Sequence, residues 1–225
     1  MTGTDRNKTI RAKTLVTVSM LCAIAFVAKL ISNVIPIAIA GFLEFDLKDV
    51  IIVIAGFICG PMASVAISVI VSLIEMLTIS GTGPIGLLMN IISSCSFACV
   101  AAVLYKKNRS MKGAIISLAV GIASMTAIML LWNYLITPLY MGVDRETVAG
   151  MLLPVFLPFN LVKGGINATL TLLLYKPIVT ALHRANLLAA SPTSGKGSFK
   201  WELMLVSLVL LATFILLALV LAGVL

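Results

Sequence analysis

Apolar runs alternate with short polar breaks along the whole chain: residues 14–35, 48–59, 62–79, 85–105, 113–137, 153–183 and 203–225. A helix needs about 20 apolar residues to cross a hydrocarbon layer some 30 Å thick, and most of these runs reach that length. They are continuous rather than alternating, so they predict spanning helices and not the strands of a barrel. The second run is short and stops at Gly60-Pro61, a dipeptide that ends one helix and starts another. Ser80-Gly-Thr-Gly-Pro84 reads as a turn. The pattern predicts an all-α integral membrane protein. It divides into a basic tail (1–13), a six-transmembrane-helix bundle (14–184), a flexible basic linker (185–200) and a seventh, C-terminal transmembrane helix (201–225).

The breaks differ in character. Residues 36–47 carry Glu44 and Asp46 on a largely hydrophobic body, too apolar for an ordinary solvated loop, and predict a lid over the bundle. Residues 141–152 read as a loop. A basic start, an apolar core and Ala38-Ile-Ala40 imitate a signal peptide, but an h-region has only about 7–15 residues, so the first helix is read as retained. The linker's composition is that of a flexible tether. The last run is apolar all round, with only Ser207 and Thr213 as weak polar groups, and predicts a helix that mostly faces lipid.

Composition agrees with the pattern. The chain is 61% hydrophobic and 11% charged, with a mean hydropathy of +1.18, too little polar surface to coat a soluble globule of 225 residues. A net charge of +8 invites a nucleic-acid reading, but its placement opposes one. Twelve of the sixteen Lys and Arg residues fall in the tail (Arg6, Lys8, Arg11, Lys13), the 106–112 loop (Lys106, Lys107, Arg109, Lys112), the end of the sixth run (Lys176, Arg184) and the linker (Lys196, Lys200). Threading the chain back and forth puts all four on one side, with Glu44, Asp46, Asp144 and Glu146 opposite. The positive-inside rule makes the basic side cytoplasmic, with the N-terminus there. The basicity therefore reports topology, and the partner it implies is a lipid bilayer, not nucleic acid. Cys22, Cys59, Cys95 and Cys99 lie within or at the ends of apolar runs. Cys95 and Cys99 share a helix face, but a C-x3-C with no nearby His is a weak metal signal, and small apolar packing is the preferred role. His183, at a basic helix end, suits the helix dipole and is not assigned to catalysis.

Polar residues inside the runs carry the chemical signal. Asn160, Lys163 and Asn167 stand at i, i+3 and i+7, so they project from one helix face. A cation at the bilayer centre costs roughly 2.5–3.5 kcal/mol on insertion scales, so that face turns to a partner or a wet cavity, or else the lysine snorkels to the interface. Gly164 and Gly165 follow and admit close approach of another backbone or a flat ligand. Asn133 and Thr137 share a face near the interface, where Trp132 and Tyr140 suit an aromatic belt; a helix-end role and a ligand role both fit. Asn90, with Ser93, Ser94 and Ser96, lies inside the fourth run. Lys29 and Glu75 lie at similar depth and make a candidate pair. Ser19 and Ala23 form a small-xxx-small stripe fit for close helix contact, within the bundle or with another subunit.

Enzyme chemistry finds no support in this pattern. It contains no H-E-x-x-H, no G-x-S-x-G and no Cys/His pair set for catalysis, and a lipid head-group enzyme would need paired acids or His. Gly195-Lys196-Gly197-Ser198 fails as a phosphate loop, because Ala190 and Gly197 stand where Gly and Ser or Thr are required. A stand-alone secondary transporter would need coupling-ion residues and usually an internal repeat, and neither is seen. What remains is Glu44, Asn133, Asn160 and Lys163, with Asn167 and Asn90 added by face geometry. A few polar groups among apolar walls suit a small-molecule pocket, and these donors and acceptors suit a neutral heterocycle.

Phe45-Asp-Leu-Lys-Asp49, Gly60-Pro-Met-Ala63, Gly83-Pro-Ile-Gly86 with Asn90, Asn133-Tyr-Leu-Ile-Thr-Pro-Leu-Tyr140 and Phe159-Asn-Leu-Val-Lys-Gly164 appear in order over residues 14–184. In these the chain resembles the substrate-binding S components of energy-coupling factor (ECF) vitamin transporters, most closely the riboflavin-specific ones. The resemblance implies a six-helix core that binds riboflavin near the outer face of a bacterial cytoplasmic membrane, as transported ligand and not as cofactor. It also implies a separate transmembrane coupling (T) component and two ABC ATPases. Glu44, Asn133, Asn160 and Lys163 match the family's flavin-binding polar residues. Ser19 and Ala23 are the nearest match to its Ala-xxx-Ala docking stripe. A seventh helix departs from the six-helix pattern. An S component for folate, thiamine or a queuosine precursor would share the fold but not the pocket.

Overall fold

The computed structural model describes residues 3–34, 38–39, 43–188 and 201–224; most of the linker lies outside them. The elements are α1 (Gly3–Val34), two short strands β1 (Ala38–Ile39) and β2 (Leu43–Glu44), α2 (Lys48–Cys59), α3 (Pro61–Thr78), α4 (Gly83–Ser94), α5 (Val100–Lys107), α6 (Met111–Met141), α7 (Arg145–Met151), α8 (Leu157–Arg184) and α9 (Trp201–Leu221). A π-helical turn, Cys95–Cys99, joins α4 to α5, and another, Leu152–Phe156, joins α7 to α8. Among the described residues six helical stretches are long and apolar enough to cross a membrane: Arg11–Val34, Pro61–Thr78, Gly83–Lys107, Met111–Met141, Arg145–Arg184 and Met204–Leu221. With the shorter α2 they give six helices of a bundle and a seventh at the C-terminus.

α2 is the axis of the bundle. Every residue from Lys48 to Phe57 is buried, and α1, α3, α5 and α8 pack around it. Ile52, Val53 and Phe57 of α2 join Leu21 and Ala25 of α1, Ile67 and Val71 of α3, Ala101 of α5, and Leu118 and Met125 of α6 in one core. Lipid hydrocarbon is as apolar as leucine, so helix association in a bilayer depends on close packing and buried polar contacts more than on hydrophobicity. Small residues supply the packing. Gly164 of α8 leaves room for Ile122 and Met125 of α6, and Gly165 leaves room for the Phe214 ring of α9; a Cβ there would collide with that ring. Gly60 (φ 99°) breaks α2 from α3, and Pro61 opens α3 without needing a partner for an N–H it lacks.

Two breaks differ from the sequence expectation. Residues 145–151 are helical, not loop: Asp144 caps α7, its Oδ2 accepting from the Thr147 N–H at 3.1 Å and its Oδ1 from the Thr147 hydroxyl at 2.7 Å. This is ordinary N-cap chemistry, which the apolar periodicity of a seven-residue helix is too short to reveal. Helix α1 also begins at Gly3, so the polar tail continues the first spanning helix without a break.

Candidate functional site

The end of the bundle carrying β1, β2 and the 79–82 turn is hollow. A cavity of about 170 Å³ opens there, lined by α1, the 43–46 segment, α3, the 79–82 turn, α4, α6 and α8. One ordered water needs about 10–15 Å³ by this measure, so the hollow holds on the order of ten. It suits a small organic molecule far better than a lone ion.

Two kinds of wall meet in it. Leu43, Ile79, Met89, Met129 and Phe159 are apolar, and Phe159 is held by the Phe45 ring at a centroid distance of 5.3 Å. The polar wall contains Asn133 from α6 and Asn160 and Lys163 from α8. Asn160 donates from Nδ2 to the Phe156 carbonyl at 2.7 Å, and Asn133 donates to the Met129 carbonyl at 2.8 Å. The Thr137 hydroxyl donates to Asn133 Oδ1 at 2.8 Å. Each amide is thus fixed by its own helix. Asn160 keeps its Oδ1 free, with no partner among the described residues.

Lys163 is 9% exposed and makes no hydrogen bond or ion pair among the described residues. Its stem is buried in α8 and its charge lies against the hollow. The buried Asp46 and Asp49 carboxylates attract this charge from beyond ion-pair distance, so the ammonium's own donors stay open toward the hollow.

Beside it runs an ion network. Lys29 of α1 reaches Glu75 Oε1 at 3.4 Å, Glu44 Oε2 at 3.5 Å and Asp46 Oδ2 at 3.9 Å. Lys48, 1% exposed, pairs with Asp46 Oδ2 at 2.9 Å and with Glu75. Asn90 donates from Nδ2 to Glu75 Oε2 at 3.4 Å. The Ser94 hydroxyl donates to Asp49 Oδ1. Asp46 also accepts the Lys48 N–H at 3.0 Å, and the Leu47 N–H is taken by Ser32 Oγ at 3.0 Å, so the turn into α2 is tied to α1. Burial pushes the Asp46 carboxyl up, but Lys48, then Lys29 and Lys163, more than offset it and hold that carboxyl well below the usual carboxylate range.

The structure therefore brings Glu44, Asn90, Asn133, Asn160 and Lys163 to one hollow. Asn167 is not among its lining residues: it is buried one turn deeper, with neither side-chain polar atom partnered among the described residues. Lys29 and Glu75 do pair. Ser19 and Ala23 are exposed on α1. Sequence reasoning missed Lys48 and Asp49 and set Asp46 on an outer lid. The available signal was Asp46-Leu-Lys-Asp49, three charges in four residues opening a wholly apolar run, which only mutual pairing makes tolerable.

The sequence model of the family described as "ECF transporter, substrate-specific component" matches residues 13–175. This chain belongs to that family. The chain is similar to riboflavin transporters along most of its length. It is 35% identical to the riboflavin transporter FmnP of Bacillus subtilis over 170 residues, 69% of this chain and 86% of that protein. It is 32% identical to the riboflavin transporter RibU of Staphylococcus aureus over 190 residues, 82% of this chain and 100% of that one. A solved S component of a bacterial ECF transporter superposes with a TM-score of 0.66 at 32% identity, covering 76% of this chain and 98% of its own. The matched family region includes every residue that lines the hollow and stops short of α9.

Proposed function

We propose that this S component captures riboflavin in the hollow between α1, α3, α4, α6 and α8, and delivers it through a T component and two ABC ATPases. One observation carries the reading: the buried Lys163 cation, with no hydrogen bond or direct ion pair among the described residues, lining a cavity beside two helix-fixed amides. Riboflavin offers what that wall lacks. Its ring carbonyls and ring nitrogens accept from Lys163 and the asparagines, its ring N–H suits a carbonyl or carboxylate acceptor, and its flat apolar edge suits Phe159, Met89 and Met129. The similarity to curated riboflavin transporters supports the same ligand. On this reading riboflavin is cargo and not a cofactor, and the chain itself catalyses no reaction.

The basic end, with Lys106, Lys107, Arg109 and Lys112, is assigned to the cytoplasm and the hollow to the outer face. The exposed Ser19–Ala23 stripe on α1 is assigned to docking the T component. A titration of purified protein, stripped of ligand, with riboflavin, FMN, folate and thiamine tests the ligand. Tight binding of riboflavin with flavin quenching is expected. Tight binding of folate or thiamine without riboflavin binding would move the chain to another vitamin.

A further inference from the structure

Helix α9 has no counterpart in the matched family region and lines no part of the hollow among the described residues. Yet it seats on the two chain segments that carry the site's polar groups. Phe214 fills the space left open by Gly165, two residues from Lys163. Ala218 is buried with Val162 and Ile166 on either side of Lys163, and Phe214 and Leu221 close that cluster. The same cluster takes in Phe45 and Leu47, which bracket Asp46 and follow Glu44. The last turn of α9, Leu221 and Ala222, also packs on the cluster of Leu43, Phe156 and Phe159. The packing is selective: α8 is the main partner of α9, while the rest of the helix faces outward, with Leu205, Val209, Leu216 and Val220 exposed.

Gly164 and Gly165 make this contact consequential. One glycine seats α6 and the next seats α9, so α8 is gripped from two sides at the position of its lysine. Packed apolar contacts resist displacement, because a shift of a fraction of an ångström forfeits much of their attraction. We infer that α9 is a built-in buttress that fixes the Glu44–Asp46 segment and the Lys163 turn against each other, and that Phe214 and Leu221 are positioning residues governing how long the ligand stays. Neither touches the ligand. Their effect falls on release, because a slackened buttress loosens the polar groups that hold the bound ligand, whereas encounter with the open hollow does not depend on it.

The kinetic arm rests on the riboflavin reading; the structural arm does not. In the full chain, Phe214→Ala and Leu221→Ala are compared with wild type by stopped-flow riboflavin fluorescence. Release is expected to speed up by roughly tenfold with association changed less than about twofold, the usual division of interface effects. Phe214→Leu, which keeps an apolar filler, should restore most of the difference. In parallel, amide exchange of the ligand-free proteins should accelerate at 43–49 and 160–167 and stay unchanged in α3. Equal loss of protection across all helices would mean a merely structural role and overturn the inference. So would unchanged exchange at 43–49, or unchanged release in a protein that binds riboflavin. Failure of wild type to bind riboflavin would sink the ligand assignment while the exchange result still decides the role of α9.

Discussion

The two ends of the bundle are built from the same helices and treat charge in opposite ways. At the hollow end, Lys29, Lys48 and Lys163 are at most 9% exposed; the first two share Asp46 and Glu75, and Lys29 also reaches Glu44. At the basic end, Lys106, Lys107, Arg109 and Lys112 all stay exposed. The interior there is closed by aromatic rings: Phe57 stacks on Tyr105 at 4.1 Å, and the Tyr105 and Tyr175 hydroxyls stand 3.5 Å apart. That end has a smaller cleft of about 90 Å³, with Arg109 at its edge. Charges kept at the surface retain their water and ask nothing of the fold. Charges sunk at the hollow end must be matched: Lys29 and Lys48 are matched by direct ion pairs, Lys163 only by the more distant Asp46 and Asp49, which leaves its donors open to the hollow.

Substitutions at each end test that contrast, beginning with the strongest. Glu75→Gln removes the carboxylate shared by Lys29 and Lys48 and leaves both cations under-partnered. It should lower stability by about 3–5 kcal/mol, read as thermal unfolding of the ligand-free protein in detergent. Restored stability in Glu75→Gln combined with Lys48→Met would confirm that the loss comes from stranded charge. Lys163→Ala should weaken riboflavin binding by roughly 10- to 100-fold, the scale of a hydrogen bond from a charged donor, with a smaller loss of stability than Glu75→Gln, because it breaks no direct ion pair and removes only a longer-range attraction for Asp46 and Asp49. Unchanged affinity would place the ligand elsewhere. Asn160→Ala should cost about 1–3 kcal/mol of affinity, since a ligand group is left buried and unpaired. At the opposite end, Tyr175→Phe should cost only about 0.5–1.5 kcal/mol of stability, and titration should show unchanged riboflavin affinity. Arg109→Ala, fully on the surface, should stay within about 0.5 kcal/mol of wild type in the same unfolding measurement.

The same contrast explains what could be read from the sequence. Long helices announced themselves, because a run that must cross lipid has no choice of residue type. Asn160 and Lys163 were legible because three residues of spacing keep two side chains on one face at nearly one depth. Asn167 was assigned by the same rule and does not line the hollow. Seven residues return to the same face, but at 1.5 Å per residue they descend about 10 Å, beneath the floor. Periodicity gives direction and says little about depth. Lys48 stayed hidden for a related reason: its partner Glu75 is 27 residues away, and only the packing of α2 against α3 brings them together. Helix α7 was missed because a short capped helix carries too few apolar positions to show a period.

Helix α2 also bears on how the chain enters the membrane. Its 12 residues extend about 18 Å, well short of the roughly 30 Å hydrocarbon layer, and its first two side chains are ionised types. Such a segment is a poor candidate for insertion by itself. Gly60 joins it directly to α3, whose Glu75 is the counter-charge for Lys48, so the two helices form a pre-matched hairpin. During synthesis, α2 is therefore expected to wait at the lipid boundary until α3 emerges, and the two then enter together with their opposite charges already neutralised.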